Sequence, residues 1–151
     1  MITVRIALEW EPLDVSLSRL EELIVSICDR FSVSDALVSL VIVDDRQITD
    51  CNHAYLGHEG TTDSICFDLS DEAERESVFE LIVNGEKASQ EAALRKHSPE
   101  AELALYITHG MLHNMGYDDA DETGAQEMHQ LEDAILDGFG YGVVYNTVKK
   151  R

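Results

Sequence analysis

Between Ser98 and Met115 the apolar residues Leu103, Leu105, Ile107, Met111, Leu112 and Met115 fall around much of the circumference of a 3.6-residue spiral. Such a helix has no solvent face to offer, so it must run through the core with the other elements wrapped around it. Its start is legible: Ser98 reads as the N-cap, Pro99 as the first helical residue, and Glu100 and Glu102 complement the positive end of the dipole. The last two turns carry His109 and His113, four apart and therefore on one face, within reach of a single metal ion. A chain with six histidines can place two at this spacing by chance, but imidazoles in so apolar a helix need partners, and a metal would satisfy both. Gly116 then ends the helix and turns the chain back, which lets a carboxylate approach the same point. The pattern predicts a three-ligand site with an open position, the mark of a catalytic zinc site.

The remaining elements follow from changes of period. Residues 2 to 10 alternate, with Ile2, Val4, Ile6, Leu8 and Trp10 on one side, and predict a half-buried strand. Leu17, Leu20, Ile24, Ile27 and Phe31 form a helical stripe over Ser16 to Phe31. Leu37 to Val43 is almost wholly apolar and reads as a strand buried on both faces, ended by Asp44-Asp45. Ile48, Cys51, Asn52 and Tyr55 suggest a short helix, and a loop from Gly57 to Gly60 leads into a strand over Thr62 to Phe67. The acidic run Asp68 to Glu76 reads as a solvated loop, Val78 to Val83 as a strand containing Glu80, and Glu86 to Lys96 as a surface helix. Thr123-Gly-Ala-Gln126 has capping-box spacing and would open a last helix with the stripe Met128, Leu131, Ile135 and Phe139. Four strands interleaved with about five helices predict a single α/β (α+β) domain over residues 1–151, a mixed four-stranded sheet with the histidine helix packed on it.

Composition narrows the function classes. No segment has the continuous apolar run that spans a bilayer, and MITVRIALEW lacks the basic and apolar regions of a secretory leader, so the expectation is a cytoplasmic protein with no membrane partner. Cys28, Cys51 and Cys66 show no CxxC spacing and are odd in number, which fits a reducing compartment. Eleven Lys and Arg against 30 Asp and Glu leave a net charge of −19, so any anionic substrate must be drawn in by something local, such as a bound cation.

With the segments in order, the chain resembles the YbeY family of metal-dependent endoribonucleases associated with ribosomal RNA maturation. The family hallmark is HGxLHxxGYDH, and the run from His109 through Gly110, Leu112, His113, Gly116 and Tyr117 to Asp118 matches every fixed position except the last. A second block, an asparagine followed after a spacer by a T-D-V/S-L/I-S/C-F strand, is similar to Asn52 and Thr62-Asp63-Ser64-Ile65-Cys66-Phe67. Softer matches are the strand with Glu80, Met128, Gly140-Tyr141 and Tyr145.

The resemblance implies a zinc ion on His109, His113 and Asp119, with Asp118 orienting a ligand or capping the turn, and RNA held in a cleft by Asn52, His58, Thr62 and Asp63. For Thr62 the alternative is ordinary turn chemistry, and for Cys66 the alternatives are packing and a fourth ligand. Two departures stand out. Asp119 occupies the place of the family's third ligand histidine, which makes the donor set harder. Tyr55-Leu56 stands where the family carries an arginine after the tyrosine, and of Arg46, His53 and His58 only His58 has a route to the cleft as a replacement. Peptide hydrolysis is disfavoured because Gly110 occupies the position of the glutamate in HExxH metalloproteases. Two functions remain: a zinc endoribonuclease acting on single-stranded ribosomal RNA, or a metal-stabilised module that docks on ribosomal or ribosome-assembly proteins with weak or lost nuclease activity.

Overall fold

The computed structural model describes residues 1–10, 14–142, 144 and 145. Among these, the four strands and five helices run in the order β1 (Ile2–Leu8), α1 (Leu17–Arg30), β2 (Ala36–Val43), α2 (Asp45–Leu56), β3 (Ser64–Asp68), β4 (Ser77–Asn84), α3 (Gly85–Arg95), α4 (Pro99–Asn114) and α5 (Glu122–Gly138). The sheet order is β1-β2-β4-β3. β1 and β4 both pair with β2 in parallel, Leu40 facing Ile6 on one side and Leu81 on the other. β3 closes the edge antiparallel to β4, with Cys66 opposite Leu81. The mixed single-domain sheet expected from the alternation of periods is therefore present.

Side-chain alternation along the strands makes two cores. Val38, Leu40, Ile42, Phe79, Leu81 and Val83 point to the face shared with α1 and α4. Val43, Ile65 and Ile82 point the other way, onto Ile48 of α2. β2 is consequently less evenly buried than its composition suggests: Ala36, Val38, Leu40 and Ile42 are fully enclosed, whereas Leu37, Ser39 and Val41 are only partly covered. α2 spans twelve residues and packs Ile48 onto that second face.

α4 is the central element, in contact with β3, β4, α1, α3 and α5. Leu103, Ile107, Met111 and Leu112 on it have no solvent exposure. Ser98 Oγ accepts from the Ala101 amide at 3.1 Å and Pro99 follows at the first helical position, so the helix begins where its residues require. Gly110 lets α4 come close to the sheet, because a Cβ there would lie 2.7 Å from Leu81 Cδ2 and 3.7 Å from Cys66 Cβ.

The N-terminus of α5 differs from the expected Thr123 capping box. Asp121 is the cap; its Oδ1 accepts from the Gly124 amide at 2.6 Å, and Thr123 lies inside the first turn. A carboxylate two residues upstream satisfies the free amide and complements the helix dipole, which a threonine hydroxyl does less well. Asp121→Ala should therefore cost about 1 kcal/mol, the usual loss for a cap, while Thr123→Ala stays within about 0.5 kcal/mol; urea denaturation of both variants distinguishes the two starts.

Candidate metal centre

The histidines stand at the C-terminal end of α4, just where its backbone stops. Met115, Gly116 and Tyr117 amides fold back onto the carbonyls of Met111, His113 and Leu112 at 3.0 Å, and Gly116 takes φ +101°, a left-handed conformation that glycine adopts without steric cost. The reversal returns Asp118 and Asp119 toward the helix. His109, His113 and Asp119 are thereby brought together with one ligand atom from each inside a 4.8 Å span. Asp118 Oδ1 accepts from the Ala120 amide at 3.0 Å, a local bond within the turn.

Hydrogen bonds at the far side of each ring settle which nitrogens face the centre. His113 Nδ1 lies 3.1 Å from the Tyr117 carbonyl, an acceptor with no proton to give, so Nδ1 carries the hydrogen. His109 Nδ1 lies 2.5 Å from Glu132 Oε2, again an acceptor. In the neutral rings both Nε2 atoms are then bare lone pairs, and they face each other at 3.1 Å. Asp119 Oδ2 is 3.4 Å from His109 Nε2 and its Oδ1 3.6 Å from His113 Nε2. Three electron-rich atoms so placed repel one another unless a cation lies between them. Tetrahedral zinc with bonds of about 2.0–2.2 Å separates its ligand atoms by roughly 3.3–3.6 Å, close to the separations here, so the residues present fit the ion.

Glu132 was not anticipated from the sequence. It is 1% exposed, and its second oxygen meets His129 Nδ1 at 2.8 Å, so one buried carboxylate holds two imidazoles. It lies four residues after Met128 and three before Ile135, in the buried register of α5, and that position was the available signal. A carboxylate behind a metal-binding histidine fixes the ring and strengthens its donor nitrogen. Burial opposes charge on His109, yet the hydrogen bond and charge of Glu132, with the charges of Asp119 and Asp63, outweigh it and raise the His109 pKa above the ordinary 6.5.

The predicted RNA-binding residues separate into groups. Asn52 is 5% exposed, and its amide donates to the Gly60 carbonyl at 3.1 Å, holding the loop before β3. Asn84, also unanticipated, caps α3 and donates to Asp45 Oδ1 at 2.9 Å and the Thr62 carbonyl at 3.3 Å, while its own amide bonds the Asp63 carbonyl. Thr62 turns its hydroxyl back to the Ser64 carbonyl. His58 is exposed on that loop. Asp63 lines a cavity with His109, where it is paired with Lys87. Cys66 packs against α4, and burial raises its thiol pKa, which opposes a thiolate ligand.

Glu132→Gln keeps the shape but removes the charge that supports His109. Metal affinity, measured by competition with a chromophoric chelator, should fall about 10- to 100-fold. In the unsubstituted protein the raised His109 pKa makes metal and proton compete, so affinity should climb with pH until that ring is neutral.

The chain is similar to known proteins. The family model described as "Endoribonuclease YbeY" matches residues 5–140. A protein named Endoribonuclease YbeY from Alkaliphilus metalliredigens is 34% identical over 112 residues, covering 70% of this chain and 72% of its own length. Its namesake from Clostridioides difficile is 32% identical over 127 residues, covering 80% and 83%. The solution structure of a Thermotoga maritima protein superposes with a TM-score of 0.58 at 22% identity, over 92% of this chain and 89% of that one, and shares the fold. With the family model spanning both the sheet and the histidine helix, the chain belongs to the endoribonuclease YbeY family.

Proposed function

We propose that this protein is a zinc-dependent endoribonuclease that hydrolyses single-stranded RNA, ribosomal RNA in particular, in the cytoplasm. The observation that carries the reading is the convergence of two bare Nε2 atoms and one carboxylate oxygen at separations suited to a tetrahedral ion. A zinc ion there would polarise a phosphate oxygen and lower the pKa of a bound water. The chain's own residues provide the rest. Glu132 and the Tyr117 carbonyl hold the two rings in one tautomer and one orientation. Asp119, with a partly exposed side chain, leaves the centre open to solvent on its side, so a phosphodiester can approach there. Asp63 stands beside His109 to meet the nucleotide, and Asn52 and Asn84 hold the loop that carries His58, Thr62 and Asp63. Among the described residues no helix is long and apolar enough to cross a membrane.

The second reading, a metal-stabilised module for ribosomal or assembly proteins with little nuclease activity, is favoured by one observation. Leu56, in the place of the family's arginine, is 44% exposed at the end of α2 and offers no charge to a phosphate.

Two experiments test these assignments. Asp119→Ala should lose metal affinity more than Asp118→Ala, and Asp119→His should retain the metal; equal losses in the two alanine variants would remove Asp119 from the ligand set. Chelator-sensitive cleavage of single-stranded RNA is expected of the zinc-loaded protein, and Leu56→Arg should raise its rate about tenfold if the new guanidinium contacts phosphate mainly in the transition state. Inactivity of both proteins over a broad set of RNAs and metals would favour the binding module.

A further inference from the structure

The cavity that includes His109 has two basic side chains in its wall, Lys87 and Arg95, and they are held differently. Arg95 lies between two acids, 3.8 Å from Glu91 and 3.3 Å from Glu102. Because the Glu102 side chain is only 1% exposed, the guanidinium is committed to a buried charge that would be costly to leave unpaired. Lys87 pairs with Asp63, and both of these side chains keep contact with solvent, at 32% and 48% exposure. An ion pair that is wet on both sides is weak and yields to a competing anion. The ammonium also carries three N–H donors, more than one carboxylate oxygen can occupy.

Local structure keeps Lys87 at this place. It stands in the first turn of α3, where Asn84 Oδ1 accepts from its amide at 2.9 Å. The Asn84 side chain also donates to the Thr62 carbonyl at 3.3 Å, and its amide to the Asp63 carbonyl at 2.9 Å. One buried asparagine therefore anchors both partners of the Lys87–Asp63 pair. α3 packs against α4, the helix of the histidines, and the charge of Asp63 is near enough to act on His109. Other groups able to meet an anion lie elsewhere. Arg46 is exposed on α2, His53 pairs with Glu59 at the surface, His58 is exposed on its loop, and none of the three lines the cavity. His109 belongs to this cavity and to the group with His113 and Asp119, so a strand at the centre passes within reach of the flexible lysine stem.

We propose that Lys87 is the phosphate-binding cation of this site, donating to a backbone phosphate of single-stranded RNA that flanks the scissile one. The proposal rests on the ribonuclease reading for its place in the reaction. Asp63 holds the ammonium in position, and the phosphate takes the donors that Asp63 leaves over. The contact is made to the sugar–phosphate backbone, so it positions the strand without reading its sequence. It also gives a chain with 30 acidic residues and an uncharged Leu56 one local point at which an anion is welcome. Since the contact is made by the bound strand before and during the chemical step alike, it governs how tightly RNA is held, not the rate of cleavage once bound.

The test reads binding without cleavage. The chelated, metal-free protein is titrated against a short fluorescein-labelled single-stranded RNA at several salt concentrations, and anisotropy is followed. Lys87→Gln should bind about tenfold more weakly at low salt and should reduce the salt dependence, in log K against log salt, by about 0.7, the share of one single-strand phosphate contact. Lys87→Arg should recover most of both. Lys96→Gln removes the same charge from the exposed C-cap of α3, outside the cavity, and should leave the salt dependence as in the parent. The double variant Lys87→Gln/Asp63→Asn separates contact from neutralisation: a lysine that only cancels Asp63 predicts parent-like binding, whereas a direct contact predicts that binding stays weak. Zinc affinity of Lys87→Gln should not fall, and in the zinc-loaded protein its KM should rise with kcat little changed. No measurable RNA binding by the parent, a parent-like salt dependence in Lys87→Gln, or parent-like binding by the double variant would each overturn the proposal. RNA binding that depends on Lys87 in a protein that cleaves no RNA with any metal would instead overturn the ribonuclease reading and leave the phosphate contact standing.

Discussion

A carboxylate taken almost completely out of water has to be answered by hydrogen-bonded partners, since an unpaired buried charge would cost several kcal/mol. Glu132 meets that requirement by gripping His109 with one oxygen and His129 with the other. From this grip follow the tautomer of His109, the direction of its free nitrogen, and the seating of α5 against α4. The same contact links the metal centre to the cavity behind it, because both include His109. The orientation of His109 is therefore set from α5, an element outside the group of His109, His113 and Asp119.

Backbone proximity reinforces this link. A Cβ on Gly124 would fall inside the van der Waals surface of the Asp118 carbonyl, so the first turn of α5 presses directly on the turn that delivers Asp119. At the other side of the centre, Gly110 lets α4 sit against Leu81. Two glycines thus allow three layers of chain to meet at the point where the donor atoms converge, and neither is required there by a left-handed backbone.

What could be read from the residues was whatever declares itself through periodicity. The fully apolar α4, the alternating β1 and the stripe on α1 follow from burial patterns with one period each, and the histidine pair inherits its position from the helix that carries it. Strand order is different in kind: nothing in the apolar run of β2 says that β4 lies beside it or that β3 turns antiparallel at the edge. Glu132 was hidden because a glutamate in a helix is ordinarily solvated, and only its register relative to Met128 and Ile135 betrays it. Asn84 was hidden because it sits at a strand end, where an asparagine commonly does no more than cap; here it also reaches across to the loop holding Thr62. Asn52 was recognised as special by resemblance, while its contact with Gly60 shows that it works through the backbone of the loop. The start of α5 was misread because two residues could cap it, and local spacing does not rank a carboxylate above a hydroxyl.

The carboxylate of Asp119 beside His109 and His113 also bears on the total charge that an incoming strand would meet. A divalent ion held by two neutral rings and one carboxylate would carry a single positive charge, which the carboxylate of Glu132, bonded to His109, would offset. With an ion bound, the inner assembly would be electrically neutral, and the chain as a whole has a net charge of −19. Long-range forces would then oppose the encounter with RNA, and added salt would hasten it by screening the repulsion, opposite to the behaviour of proteins that release counterions from the phosphates they hold.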